Sequence, residues 1–348
     1  MKSLIVACLS LLVVVLVGPT DALATGGTTI GVSWGDFREE RWHTDQAALK
    51  AAVEAGGLHY METDALSSAA KQLTDINSLI DGGADVLVIQ VQDADLIAPA
   101  LAKAAARRIP VIAYDRLIEQ PMVFYISFDN REVGRQQARA VQAVRPDGNY
   151  VFIKGDAGDP NTELLYAGQL DILKPAIDTG KISVVGKDNA EGWMPANAHS
   201  IMRQFLVANS NHVDAAVVSN DNMAGGVISA LSDQNRDGQV PVSGQDGDLA
   251  ALNRVALGTQ TVSVWKDSRA LGRRAGEIAV QLAKGKQITD LPDVSVFRGG
   301  PKGLPIHAVL LTPIPITRDT LNVVLDAGWI SKQELCKGVK RGMVKVCD

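Results

Sequence analysis

The sequence predicts an α/β protein built as two doubly wound parallel-sheet lobes, and three observations predict it. From Thr28 onward, short β-branched apolar runs alternate with amphipathic helical stretches, the order that builds parallel sheets through right-handed crossovers. These runs fall into two sets, one closing at residues 111–114 and another opening at residues 150–154. With 348 residues and 46% hydrophobic side chains, the chain is long enough to fill two cores of ordinary size.

The N-terminal stretch precedes both sets. Lys2 leads into an apolar run at residues 4–17, Gly18 and Pro19 break it, and the small residues Ala22 and Ala24 follow on either side of Leu23. This is the three-part pattern of a secretory signal peptide, and the run is too short for a comfortable bilayer span. Residues 1–24 are therefore expected to be cut off after Ala24, leaving a soluble, exported, periplasmic chain. Cys8 sits inside the run with most of it still to come, whereas a lipoprotein box ends the run. Signal removal leaves Cys336 and Cys347, and in an exported chain these are expected to form one structural disulfide closing a small tail loop.

In the first set, a strand at residues 30–33 leads to a helix at 41–55, a strand at 85–90 to a helix at 96–107, and a strand at 111–114 follows. The second set opens with a strand at 150–154 and a helix at 162–177. It continues through strands at 182–186, 215–219, 240–243 and 261–265, each followed by a periodic segment. A helix at 268–285 and a segment at 294–312 would be too much for one sheet to absorb in sequence. The chain should thus cross between lobes more than once, near 127–130, at Lys266 and Asp267, and near 311–315. The expected N-terminal lobe is 28–127 plus 268–310, and the C-terminal lobe 130–265 plus 314–348.

Chemistry gathers where the strands end. The stretch "PVIAYDRLIEQPMVFYISFDN" runs from a buried-strand pattern straight into Asp115 and Arg116, and ligands of open parallel sheets bind beyond the carboxyl ends of strands. Trp34, Arg41 and Trp42 follow the first strand; Asp159 and Asn161 follow the strand at 150–154; Trp193 follows 182–186. Asn220 and Asp221, Asp246 and Lys266 follow the next three. Each has a bland reading, helix N-caps for the Asn and Asp residues and core packing for the tryptophans. Four of the five tryptophans nevertheless lie at these ends in a chain that is only 5% aromatic, which favours a site. Asp and Asn oxygens with Arg and Lys donors can pair with adjacent hydroxyls, and an indole face covers the C–H face of a ring. The combination suits a neutral, hydroxyl-rich ring such as a sugar. A formal charge of -5 argues against nucleic acid as a partner.

The segments "RWHTD", "ADVLVIQVQD", "VIAYDRLI", "FYISFDN", "EGWMPANA", "VVSNDNMAGG", "SGQDGDLA" and "GTQTVSVWK" resemble, in order and spacing, the D-xylose-binding proteins of bacterial sugar ABC transporters, within the type I periplasmic binding protein family. The resemblance covers residues 28–334 and implies a three-segment hinge between the lobes. It implies sugar contacts from Arg41, Asp115, Arg116, Asn161, Asn220, Asp246 and Lys266, with Trp42 and Trp193 covering the ring. It also implies a monosaccharide ligand, D-xylose first, a permease with a cytoplasmic ATPase as partner, room for a chemoreceptor, a monomeric state and no cofactor or metal. The chain departs from the pattern in "LYAGQ", where Tyr166 stands for an arginine, at Pro160, which stands for an asparagine, and in "SWGDF". Another aldose, such as arabinose, glucose or galactose, therefore stays open.

Four rivals are weighed against this. Residues 31–35 match the G-x-S-x-G nucleophile elbow around Ser33, but that fold places its serine after several strands, and none of the five histidines carries a supporting signature. No G-x-G-x-x-G follows a strand, which disfavours a dinucleotide enzyme. No helix-turn-helix precedes the first strand, as a sugar-responsive repressor would need. The stretch "DQNRDGQ" at 233–239 starts like a calcium loop, yet its twelfth position is Gly244, which supplies no closing carboxylate.

Overall fold

The computed structural model describes residues 27–348, so the expected leader at 1–24 lies outside the described residues. The first half runs β1 (Thr29–Trp34), α1 (Arg41–Ala55), β2 (His59–Asp64), α2 (Ala69–Asp81), β3 (Val86–Ile89), α3 (Ala98–Ala106), β4 (Val111–Tyr114) and β5 (Val123–Phe128). After α4 (Asn130–Val144) come β6 (Gly148–Lys154), α5 (Pro160–Asp178), β7 (Ile182–Asn189), α6 (Pro195–Ala208), β8 (Ala215–Val218), α7 (Asp221–Ser232), β9 (Ser243–Asp246), α8 (Leu249–Leu257) and β10 (Val262–Trp265). The chain ends with α9 (Ser268–Ala283), β11 (Ser295–Phe297), β12 (Ile306–Leu311), β13 (Ile314–Ile316), α10 (Asn322–Asp326) and α11 (Lys332–Leu335).

Two sheet systems result. A seven-stranded sheet has the order β11-β12-β5-β4-β3-β1-β2, parallel except for β11. Two three-stranded sheets, β7-β6-β8 and β13-β10-β9, meet at a single parallel bridge between Ala216 and Val242. Beside that bridge the Ser243 hydroxyl accepts from Val218 N at 2.8 Å and donates to Val218 O at 2.9 Å, so a side chain takes over the ladder bonds. The chain passes between the two systems three times, after β5, after β10 and after β12.

Several elements depart from the sequence expectation. The strand expected at 240–243 lies at Ser243–Asp246, the polar "SGQD", which pairs with Val262–Trp265 and is buried throughout. Gly244 permits this, since a Cβ there would lie 2.1 Å from Asp221 Oδ1. β2 and α2 were not anticipated, because β2 is a half-exposed edge strand without an apolar run. Residues 123–128 form a fully buried strand, so "FYISF" belongs to the sheet and the crossing starts only beyond Phe128.

Two of the four strand-end tryptophans are core. Trp34 is fully buried, with its ring 5.6 Å from Tyr114 and 5.5 Å from Phe37. Trp265 packs on Trp329 with Ile316, Leu321 and Leu335 around them. Cys336 and Cys347 are joined by a disulfide, and their tail packs on α8. Ser33 is buried inside β1 and accepts from Gln72 Nε2 at 3.3 Å. In the 233–239 turn, Arg236 donates to the carbonyls of Asn211 and Val213, and Asp233 meets His199 at 3.2 Å.

Candidate functional site

The ends of β1, β4, β6, β7, β8, β9 and β10 converge on one small cavity. All nine residues expected at the site line it: Arg41 and Trp42 at the start of α1, Asp115 and Arg116 after β4, Asn161 in the first turn of α5, and Trp193 between β7 and α6. Asn220 at the N-cap of α7, Asp246 ending β9 and Lys266 after β10 complete the set. Glu39, Asp159 and Gln245 line it as well.

Charges of both signs face each other across this cavity. The Arg41 guanidinium reaches Asp45 at 3.2 Å, Asp246 at 3.0 Å and Asp115 at 3.4 Å. Lys266 Nζ lies 3.3 Å from Asp115 and 3.6 Å from Asp246, and Arg116 Nε lies 3.2 Å from Asp159. Burial would raise the Asp115 carboxyl, but Arg41 and Lys266 outweigh it and hold the group at about 2. Burial pushes Asp45 up to about 6 and raises Asp159, in each case against the pull of its arginine. Tyr114 donates its hydroxyl to Asp45, behind Arg41.

Local backbone geometry aims these groups. Asp115, Trp193 and Asp246 all adopt left-handed conformations, with φ of 59°, 58° and 100°. Such positions cost non-glycine residues about 1–3 kcal/mol and persist only where the surroundings hold them. The Asp115 carbonyl accepts from Tyr125 Oη at 3.2 Å, Ser127 Oγ at 3.0 Å and Asn161 Nδ2 at 3.0 Å. The turn after Asp246 is held by the fully buried Asp221, which accepts from Gly247 N at 3.0 Å and Asp248 N at 3.1 Å. Gly155 lets the Trp193 indole lie against the backbone, because a Cβ there would sit 2.1 Å from the ring.

Three cavity atoms are buried without a protein partner: Trp42 Nε1, Trp193 Nε1 and Gln245 Oε1. Two donors and an acceptor are thus free beside paired carboxylates and cations. A group that both donates and accepts, such as a hydroxyl, matches that mixture. A wider crevice of about 680 Å³ opens beside it around Phe128, Phe297 and Leu164, but its Arg131 and Arg135 are both committed to Asp171.

The sequence departures fall elsewhere or nearby. Tyr166 does not line the cavity; it packs edge-on to Phe152 and lies under the ammonium groups of Lys154 at 4.9 Å and Lys187 at 5.2 Å. Pro160 opens α5 next to Asp159. Glu39 was missed because it lies in the loop between β1 and α1, and Gln245 because it lies inside β9 rather than after it. Gln245 lies inside the quoted "SGQD", and a strand assigned there would have pointed to it.

The family described as "Periplasmic binding protein domain" matches residues 30–287. A D-xylose-binding periplasmic protein of Escherichia coli (strain K12) is 40% identical over 309 residues, 88% of this chain and 92% of that one. A multiple sugar-binding periplasmic receptor of Rhizobium radiobacter is 30% identical, over 97% of this chain and 100% of its own. Among solved structures, an ABC transporter solute binding protein from Clostridium phytofermentans with bound β-D-glucose superposes with a TM-score of 0.81 at 27% identity, covering 88% of this chain and 100% of that chain. With three quarters of its length matched by the family and both of its sheet systems arranged around one shared cavity, this chain belongs to the periplasmic binding proteins.

Proposed function

We propose that this protein is an exported solute-binding protein that captures a monosaccharide, D-xylose first, and delivers it to the permease of an ABC transporter. The observation that carries the reading is the cavity itself: nine strand-end residues enclose it, and Trp42 Nε1, Trp193 Nε1 and Gln245 Oε1 face it without partners. Asp115 with Arg116 and Asp246 with Lys266 would take pairs of adjacent hydroxyls, while Asn161 and Asn220 add single bonds and the two indoles cover the ring. The 40% identity to a D-xylose-binding periplasmic protein supports xylose, and Tyr166 carries no weight against it because it lies outside the cavity. Glucose is the second reading, supported by the structural neighbour with bound β-D-glucose.

In this reading residues 28–127 plus 268–310 form one lobe and 130–265 plus 314–348 the other, hinged at the three chain crossings. Closure over the sugar excludes water and strengthens each hydrogen bond. The protein works as a monomer in the periplasm and does no chemistry on its ligand. Isothermal titration of the mature chain with D-xylose, L-arabinose, D-ribose, D-glucose and D-galactose tests it. Tightest binding of D-xylose is expected; heat from none of the five would sink the sugar assignment.

A further inference from the structure

We propose that Glu39 is a further binding residue of the cavity, a wall carboxylate that couples enclosure of a neutral sugar to uptake of one proton. The inference rests on the sugar-site reading above. Of the four carboxylates lining the cavity, Asp115 and Asp246 pair with Arg41 and Lys266, and Asp159 pairs with Arg116. Glu39 is the fourth and forms no ion pair among the described residues. Its one bond is to Asn220 Nδ2 at 3.0 Å, from the opposite sheet system. The Asn220 carbonyl oxygen already caps α7 through Met223 N at 2.9 Å, so its amide N–H groups are what it offers a ligand, and Glu39 holds one of them.

The groups facing Glu39 are Asp36, Arg38 and Arg41 from its own segment, Arg116 from the loop after β4, and Asp246 and Asp248 from the turn after β9. Asp36 and Arg38 pair with each other at 2.9 Å, and Arg116 and Arg41 are engaged by other carboxylates. Burial first, and then Asp246, push the Glu39 carboxyl up to about 7. When the walls part, the bond to Asn220 opens and Glu39 faces water, where a carboxylate returns to its ordinary range near 4.3. The enclosed form therefore binds the proton more tightly than the open form. The sign follows: the contribution to affinity is fullest at or below the ordinary carboxylate range, falls as pH rises toward about 7, and levels off above it.

The test is titration calorimetry with D-xylose, and with D-glucose as second probe, in buffers of different ionisation enthalpy. It compares the native protein with Glu39→Gln, which keeps the acceptor for Asn220 and removes the titration. The native protein should take up roughly half a proton per sugar at about pH 7 and bind about tenfold more tightly at pH 6 than at pH 8 from this group alone. Glu39→Gln should lose that uptake and flatten the profile. Sugar binding with the same proton uptake in Glu39→Gln would overturn the role of Glu39 and leave the sugar site standing. Absence of heat from both sugars in both proteins would overturn the sugar site and the Glu39 role with it.

Discussion

The turns after β4 and β9 place an aspartate alike and secure it differently. Asp115 and Asp246 both take left-handed backbone, both face Arg41 and Lys266, and both are about 95% buried. The Asp115 turn is held by three neutral donors, Tyr125, Ser127 and Asn161, which share one carbonyl. The Asp246 turn centres on one ionisable group, Asp221, which takes both following N–H groups, shares the Gly247 N–H with Ser263 Oγ at 3.1 Å, and is held in turn by Ser263 and Gln260. Support shared among neutral groups tolerates single losses and is indifferent to pH. Support concentrated in one carboxylate is neither.

The largest effect should come from the aspartates themselves. Asp246→Ala leaves Arg41 and Lys266 short of a partner, and breaking a buried pair costs roughly 3–5 kcal/mol. A loss of sugar affinity above about a hundredfold is expected by calorimetry, and near-native affinity would remove Asp246 from the site. Asp221→Ala comes next: the Asp248 N–H loses its acceptor and the Gly247 N–H keeps only Ser263 Oγ, so about a tenfold loss is expected, with Asp221→Asn recovering most of it. Ser127→Ala should cost less than about threefold, because Tyr125 and Asn161 still donate. A Ser127→Ala loss equal to that of Asp221→Ala would break the contrast between the turns. Smallest of all, Tyr166→Arg should leave affinity within about twofold, since Tyr166 lies outside the cavity.

The pH dependence of stability sharpens the same contrast. Burial raises the Asp221 carboxyl to about 7, above the ordinary aspartate range, so the folded state favours its protonated form. Its contribution to stability is fullest below that ordinary range and is lost as pH rises through about 7. Thermal melts should therefore show the native protein losing a few degrees relative to Asp221→Asn between about pH 4 and 8. Parallel melting curves across that range would show that the carboxylate is not what responds to pH.

All nine candidate residues were legible because the ends of parallel strands share one edge, so polar residues following each run belong together in space. The tryptophan pattern was only half right, since Trp42 and Trp193 reach the cavity while Trp34 and Trp265 fill cores. An indole after a strand reads the same in sequence whether the backbone turns it inward or outward. The strand at Ser243–Asp246 was misplaced by three residues because periodicity follows apolar side chains, and here a fully buried strand is polar.

Local pattern by itself determined the alternation of strands and helices, the pairing of Cys336 with Cys347 and the set of groups gathered at the strand ends, because each depends on short-range propensity or on the few partners available. Only the tertiary structure decided which charges pair, that Glu39 is left without one, and that Tyr166 stays outside. Those outcomes depend on distances of 3–4 Å between residues up to 205 positions apart, and no spacing along the chain encodes them.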